Sequence, residues 1–198
     1  MRDLAAALDQ LLTEPRPRRE HRCHACRDSP IGRSHAVFYR ACDLVVEVNY
    51  VELLAGWEGR QAQLRGWRSA LSAGVIAGAA DELWADVEDL RVRGKAQWEH
   101  IATMHRALAA ACGRVSAILD GCRERQVAIR VVWQIPAEVI ENVAAQRRLP
   151  VAAREELATN QIAAGELIAA ETQRVLDLHP RTAGVSVAEL WGALAQQN

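Results

Sequence analysis

Hydrophobic and polar positions recur with a helical period along most of this chain, and the most regular pattern lies between Lys95 and Ile135. Eleven positions recur there at alternating steps of three and four residues, the spacing that keeps one stripe of a helix against its neighbours, and nine of them are apolar when cysteine is counted as a small hydrophobe. The stripe consists of Trp98, Ile101, His105, Leu108, Cys112, Val115, Leu119, Cys122, Gln126, Ile129 and Trp133. Further apolar residues widen it to a face about 100° across, so it predicts a long central helix, about 95–135, that ends at Pro136.

Shorter periodic segments precede this helix. Residues 2–13 predict a short amphipathic helix, and Ser34 is suited to cap the next one. The pattern weakens after Gly56, in a repeated Gly-Trp pair, which predicts a bend or loop. Residues 75–90 predict another helix that closes at Gly94, with a tight turn into an antiparallel central helix.

The remainder of the chain is also helical in pattern. We expect one helix from Pro136 through Ala145 and a second over residues 151–178. Ser186 and Glu189 have the spacing of a capping box at the start of a last helix. No strand-like alternation of useful length occurs.

These patterns predict an all-α protein, a helical bundle of about six helices around the long central helix. The chain has 198 residues, half of them hydrophobic, which is enough to build a core without disulfides or metal ions. We divide it into residues 1–35, a short helix followed by a basic Cys/His-containing segment, and residues 36–198, the helical bundle domain.

Charge and hydropathy place the protein in an aqueous compartment. The formal net charge is −1, which argues against binding to nucleic acid or a membrane through the overall field. The N-terminus lacks the apolar core of a secretory signal, and the longest uncharged run, residues 69–80, is too short to span a bilayer. We therefore expect a soluble, cytoplasmic protein whose five cysteines are thiols or ligands rather than disulfides.

The densest chemical cluster is the run His21-Arg22-Cys23-His24-Ala25-Cys26. A Cys-x-x-Cys turn presents two thiolates to one zinc ion, and a histidine with a third cysteine completes a tetrahedral site. The predicted structural zinc ligands are Cys23, Cys26, His35 and Cys42, with His21 or His24 as substitutes. The alternative is an exposed thiol pair in a basic loop, with Cys42 as a core residue.

The same part of the chain is strongly basic. Residues 15–40 contain seven arginines against Glu20 and Asp28. Arginine at this density can contact phosphates or an acidic protein surface. The predicted contact residues are Arg16, Arg18, Arg19, Arg22, Arg27 and Arg33, and the alternative is a solvated tail.

Three functions remain open at this level. The first is a non-enzymatic interaction or assembly protein that binds a protein partner through the basic segment, with self-association also open. The second is a nucleic-acid-associated subunit of a phage, mobile-element or defence complex. The third is a helical enzyme. Its site would be unrecognised, because the chain has no phosphate loop, nucleophile elbow or Glu-x-x-His pair.

Overall fold

A computed structural model describes residues 3–19, 32–76 and 80–196, and these residues form seven helices and no strand. The all-α class is therefore confirmed, with seven helices in the described residues rather than about six. In chain order the helices are α1 (Leu4–Leu12), α2 (Gly32–Ser72), α3 (Ala80–Val132), α4 (Ala137–Glu141), α5 (Val143–Gln146), α6 (Val151–Leu176) and α7 (Val187–Ala195).

The chain divides into two compact units. Unit 1 comprises Met1–His21 and Val46–Arg106, and unit 2 comprises Arg22–Val45 and Ala107–Asn198. Helices α2 and α3 each contribute residues to both units. The division at residue 35 that the sequence suggested stays a prediction.

Helix α1 packs in unit 1, as its amphipathic pattern predicted. The Asp3 side chain caps its first turn, and Leu8 is fully buried against residues of α2 and α3. The amide of Gln61 donates to the Leu11 carbonyl at 3.0 Å. A hydrogen bond from Arg68 to Asp9 at 2.7 Å lowers the pKa of that carboxyl, because it stabilises the charged form.

The bend predicted after Gly56 is wrong, because α2 continues without a break to Ser72. A Cβ atom at Gly56 would overlap the terminal amide of Gln97 on α3, so this glycine lies where α3 approaches α2 and not in a turn. The helix ends later, where Gly74 adopts φ +74° and the Val75 amide bonds to the Ala70 carbonyl.

The helix end predicted at Gly94 is also wrong, since α3 runs continuously through this residue. Gly94 is buried, and a Cβ there would lie 3.3 Å from Nε of Arg60. Arg60 also donates a hydrogen bond to Gln97. Because Gly56 faces Gln97 while Arg60 faces Gly94, α2 and α3 are antiparallel within unit 1.

The end of α3 differs from the prediction in its mechanism. Gln134 adopts a left-handed φ of 51°, and the Ile135 amide bonds to the Arg130 carbonyl at 2.8 Å. This left-handed terminus closes the helix before Pro136, which instead precedes α4. Ile135 is buried in the unit 2 core beside Ile129, Ala153 and Leu157.

Five of the eleven residues of the central stripe are buried, and four others, Ile101, His105, Cys122 and Gln126, are half-buried. Leu108, Val115 and Leu119 are each less than a tenth exposed. The two ends are exceptions, since Trp98 is 41% and Trp133 37% exposed. The buried face therefore stops short of the tryptophans that the sequence placed at its limits.

The C-terminal helices follow the predicted order with one correction. The single helix expected through Ala145 is two short ones, because Asn142 is extended and its side chain accepts hydrogen bonds from the Ala144 and Ala145 amides. The Ser186–Glu189 capping box is present at α7. These hydrogen bonds lower the pKa of Glu189.

Candidate functional site

Residues 15–19 of the basic segment belong to unit 1, whereas its residues from Gly32 onward belong to unit 2. Pro17 is buried between exposed arginines. Arg16 pairs with Glu58 at 3.2 Å, and Arg19 with Glu47 at 4.0 Å. A buried proline and two contacts to α2 therefore position residues 15–19, although the composition of this segment predicted no core of its own.

These arginines line a cavity of ≈ 480 Å³. Arg16, Arg18 and Arg19 form one side of it, and residues of α2 and α3 form the remainder. Most of the residues from the two helices are aliphatic. The polar and aromatic ones are Asn49, Tyr50, Trp98 and His105.

The charge in this cavity is of one sign. None of the described residues that line it is an aspartate or glutamate. Arg18 is exposed and makes no ion pair with a described residue, and the Arg16–Glu58 pair is more than half exposed on both sides. Exposed pairs of this kind are weak, so the guanidinium groups of Arg16 and Arg18 can turn to an incoming anion, and Arg19 adds a third positive charge to the cavity lining.

The neutral wall offers aromatic surface and one buried polar group. Trp98 is 41% exposed, Tyr50 and His105 are half-buried, and Asn49 is 2% exposed. The sequence placed Trp98 and His105 on the buried stripe and did not associate them with the arginines. Only the position of residues 15–19 beside α2 brings these distant positions to one cavity.

Of the other predicted contact residues, the structure describes only Arg33, and only its backbone. Arg22 and Arg27 lie outside the described residues. Arg33 belongs to the first turn of α2 by its backbone. The described part of the basic site therefore comprises Arg16, Arg18 and Arg19.

The predicted zinc ligands fall in two groups. Cys23 and Cys26 lie outside the described residues. His35 and Cys42 are both buried on α2 in unit 2, about 10.5 Å apart along the helix and on one face. No cluster of three metal-ligating side chains occurs within residues 3–19, 32–76 and 80–196. The four-ligand site stays a prediction.

Unit 2 contains a second cavity of ≈ 290 Å³ with a different character. Val37, Ile162 and Trp191 line it together with small residues of α6, and Glu166 is its single charged lining residue among those described. It resembles an apolar groove rather than an anion site.

The fold and site do not identify a family by similarity: no family model, curated protein or solved structure matches the chain. Among the described helices, none combines the length and apolar character needed to cross a bilayer.

Proposed function

We propose that this chain is a non-enzymatic helical interaction or assembly protein that binds an acidic protein partner through its basic N-terminal segment. The contact residues are Arg16, Arg18, Arg19, Arg22, Arg27 and Arg33. The observation that carries the proposal is the group of three arginines at one cavity, without a lining carboxylate among the described residues.

Two physical arguments favour a protein surface as the target. The buried Pro17 anchors the segment, so less conformational entropy is lost on binding than for a free tail. Guanidinium groups also pair with carboxylates through two parallel hydrogen bonds, which gives orientation as well as attraction. The remainder of the chain is acidic, so attraction is concentrated at this end.

The test is a fourfold substitution in the segment. Replacing Arg16, Arg18, Arg19 and Arg22 by glutamine should weaken capture of the partner from a native lysate and flatten its salt dependence. The melting temperature should change little, because the Arg16–Glu58 and Arg19–Glu47 ion pairs that the substitution removes are both exposed.

A matched control carries the same change in net charge elsewhere. Arg93, Arg106, Arg123 and Arg147 are exposed and do not line the cavity, so their replacement by glutamine should leave capture intact. Equal losses for the two fourfold variants, or full capture by both, would overturn the proposal.

A nucleic-acid-associated role is the second candidate. It is favoured by Trp98 and Tyr50, which line the same cavity as the arginines and supply aromatic surface that the segment itself lacks. Retention on nucleic acid that falls steeply with salt, and loss of partner capture after nuclease treatment, would favour this candidate over a protein partner.

We further propose a structural zinc ion held by Cys23 and Cys26 with one of His35 and Cys42, which lie about 10.5 Å apart along α2, and with His21 or His24 as the fourth ligand. Protein purified without added metal should then contain about one equivalent of zinc, and the double variant Cys23→Ser, Cys26→Ser should contain almost none. Cys112→Ser is the matched control, since Cys112 is buried on α3 and outside the cluster. A zinc content below about a tenth of an equivalent in the unsubstituted protein would rule out the zinc site.

A further inference from the structure

The cavity at the basic segment has the size and lining of a small-molecule site. Its volume of ≈ 480 Å³ falls within the range of about 300–1,000 Å³ that is usual for such sites. We propose that it binds a nucleotide, with the phosphate at Arg18 and Arg19 and the base against Trp98. This site does not depend on the protein partner proposed above.

The cationic side suits a phosphate. Arg18 is exposed and makes no ion pair with a described residue, and Arg19 lines the same cavity. The guanidinium groups of two adjacent arginines can approach the oxygens of one phosphate or of neighbouring phosphates. No described carboxylate lines the cavity to repel the anion.

The other side suits a planar ring. Trp98 leaves 41% of its surface open, and an indole face is among the strongest stacking partners for a base. Tyr50 lines the same cavity and adds further aromatic surface.

The combination selects against simpler ligands. Inorganic phosphate would leave the aromatic side in contact with water, and a neutral aromatic compound would leave the arginines without an anion. A nucleotide satisfies both sides at once. The same chemistry is offered by a free nucleotide and by the 5′-phosphorylated end of a strand, so the experiment has to separate these two sources.

Isothermal titration calorimetry of the full-length protein tests the proposal with four probes: ADP, adenosine, inorganic phosphate and a 5′-phosphorylated hexanucleotide. We expect saturable binding of ADP and at least roughly tenfold weaker binding of adenosine and of phosphate, because each lacks one half of the recognised chemistry. Tighter binding of the hexanucleotide than of ADP assigns the source to a strand end; tighter binding of ADP assigns it to the free nucleotide.

Three substitutions and two matched controls locate the site. Arg18→Gln and Trp98→Leu should each weaken ADP binding about tenfold or more, whereas Trp98→Phe should retain most of it. Arg93→Gln removes an exposed arginine of the same unit that does not line the cavity, and Trp191→Leu removes a tryptophan of similar exposure in the other unit. Both should bind ADP within about twofold of the original protein.

Absence of saturable binding by ADP and by the hexanucleotide overturns the inference. Equal affinities for ADP, adenosine and phosphate, or equal losses in the variants and their controls, overturn it as well. The result is separable from the proposed protein partner, because Trp98→Leu should weaken nucleotide binding about tenfold or more while leaving the arginines that capture the partner in place.

Discussion

Glu171 shows at the residue scale how a sequence pattern hides a partner. Its side chain is only 6% exposed, and it accepts hydrogen bonds from Arg114 on α3 at 2.9 Å and from Arg174 one turn further along α6. Periodicity places Arg114 on the polar face of its helix and therefore predicts that its removal is neutral. The interaction joins residues 57 positions apart, which no local pattern reports.

Arg114→Ala should therefore destabilise the protein by about 1–2 kcal/mol, because a buried carboxylate loses one of its two cations. The loss stays moderate since Arg114 is itself half exposed and Arg174 remains. Arg123→Ala is the control, because its partner Asp120 is 60% exposed, and it should stay within about 0.5 kcal/mol. Urea denaturation measures both; equal effects would contradict the role assigned to Glu171.

The candidate site illustrates the same limit. The arginine density predicted Arg16, Arg18 and Arg19 as contact residues, since composition alone reveals a local charge. Trp98 could be recognised only as the first member of a helical stripe. That it lines the same cavity as the arginines follows from the tertiary fold of unit 1, which the sequence did not predict.

At the scale of the helices, the sequence-based prediction failed at two glycines. Existence and order of the helices could be predicted, because each long segment has a clear period of 3.6 residues. Two breaks were predicted at Gly56 and Gly94 and are absent. A glycine beside polar residues has the same sequence signature whether it ends a helix or allows another helix to approach, and only the contact with Gln97 or Arg60 distinguishes the two.

Alanine substitutions separate these two kinds of glycine. Gly121 lies in α3 with open space where an added Cβ atom would point, so Gly121→Ala should stabilise the protein by about 0.5–1 kcal/mol through helix propensity. Gly94→Ala gains the same propensity but displaces the buried Arg60, so it should be neutral or destabilising. Equal stabilisation in thermal melts would contradict the close approach.

At the scale of the whole molecule, each of the two units has a buried apolar core of its own. Leu64 is 3% exposed in unit 1, and Leu108 is 2% exposed in unit 2. The sequence predicted the second of these from the central stripe. It did not predict the first as part of the same continuous helix that begins at Gly32, because the pattern weakens after Gly56.

Leu64→Ala and Leu108→Ala should each cost about 2–5 kcal/mol, since each leaves a cavity in a packed core. Val92→Ala and Val127→Ala remove exposed side chains from α3, one in each unit, and should change the stability by less than about 0.5 kcal/mol. The free energy of unfolding from urea titration provides the comparison. A Leu64 variant as stable as the Val92 variant would contradict a core in unit 1.

The order of the two units along the chain has a consequence for biosynthesis. Every residue of unit 1 has been synthesised once Arg106 is added, whereas residues 22–45 belong with a segment that starts only at Ala107. At about 5–20 residues per second, the ribosome needs roughly 5–20 s to complete that segment. During this interval Phe38 and Val45, fully buried in the finished protein, are without the later residues of their unit. Nascent chains paused beyond Arg106 should therefore expose an apolar surface that holdase chaperones recognise.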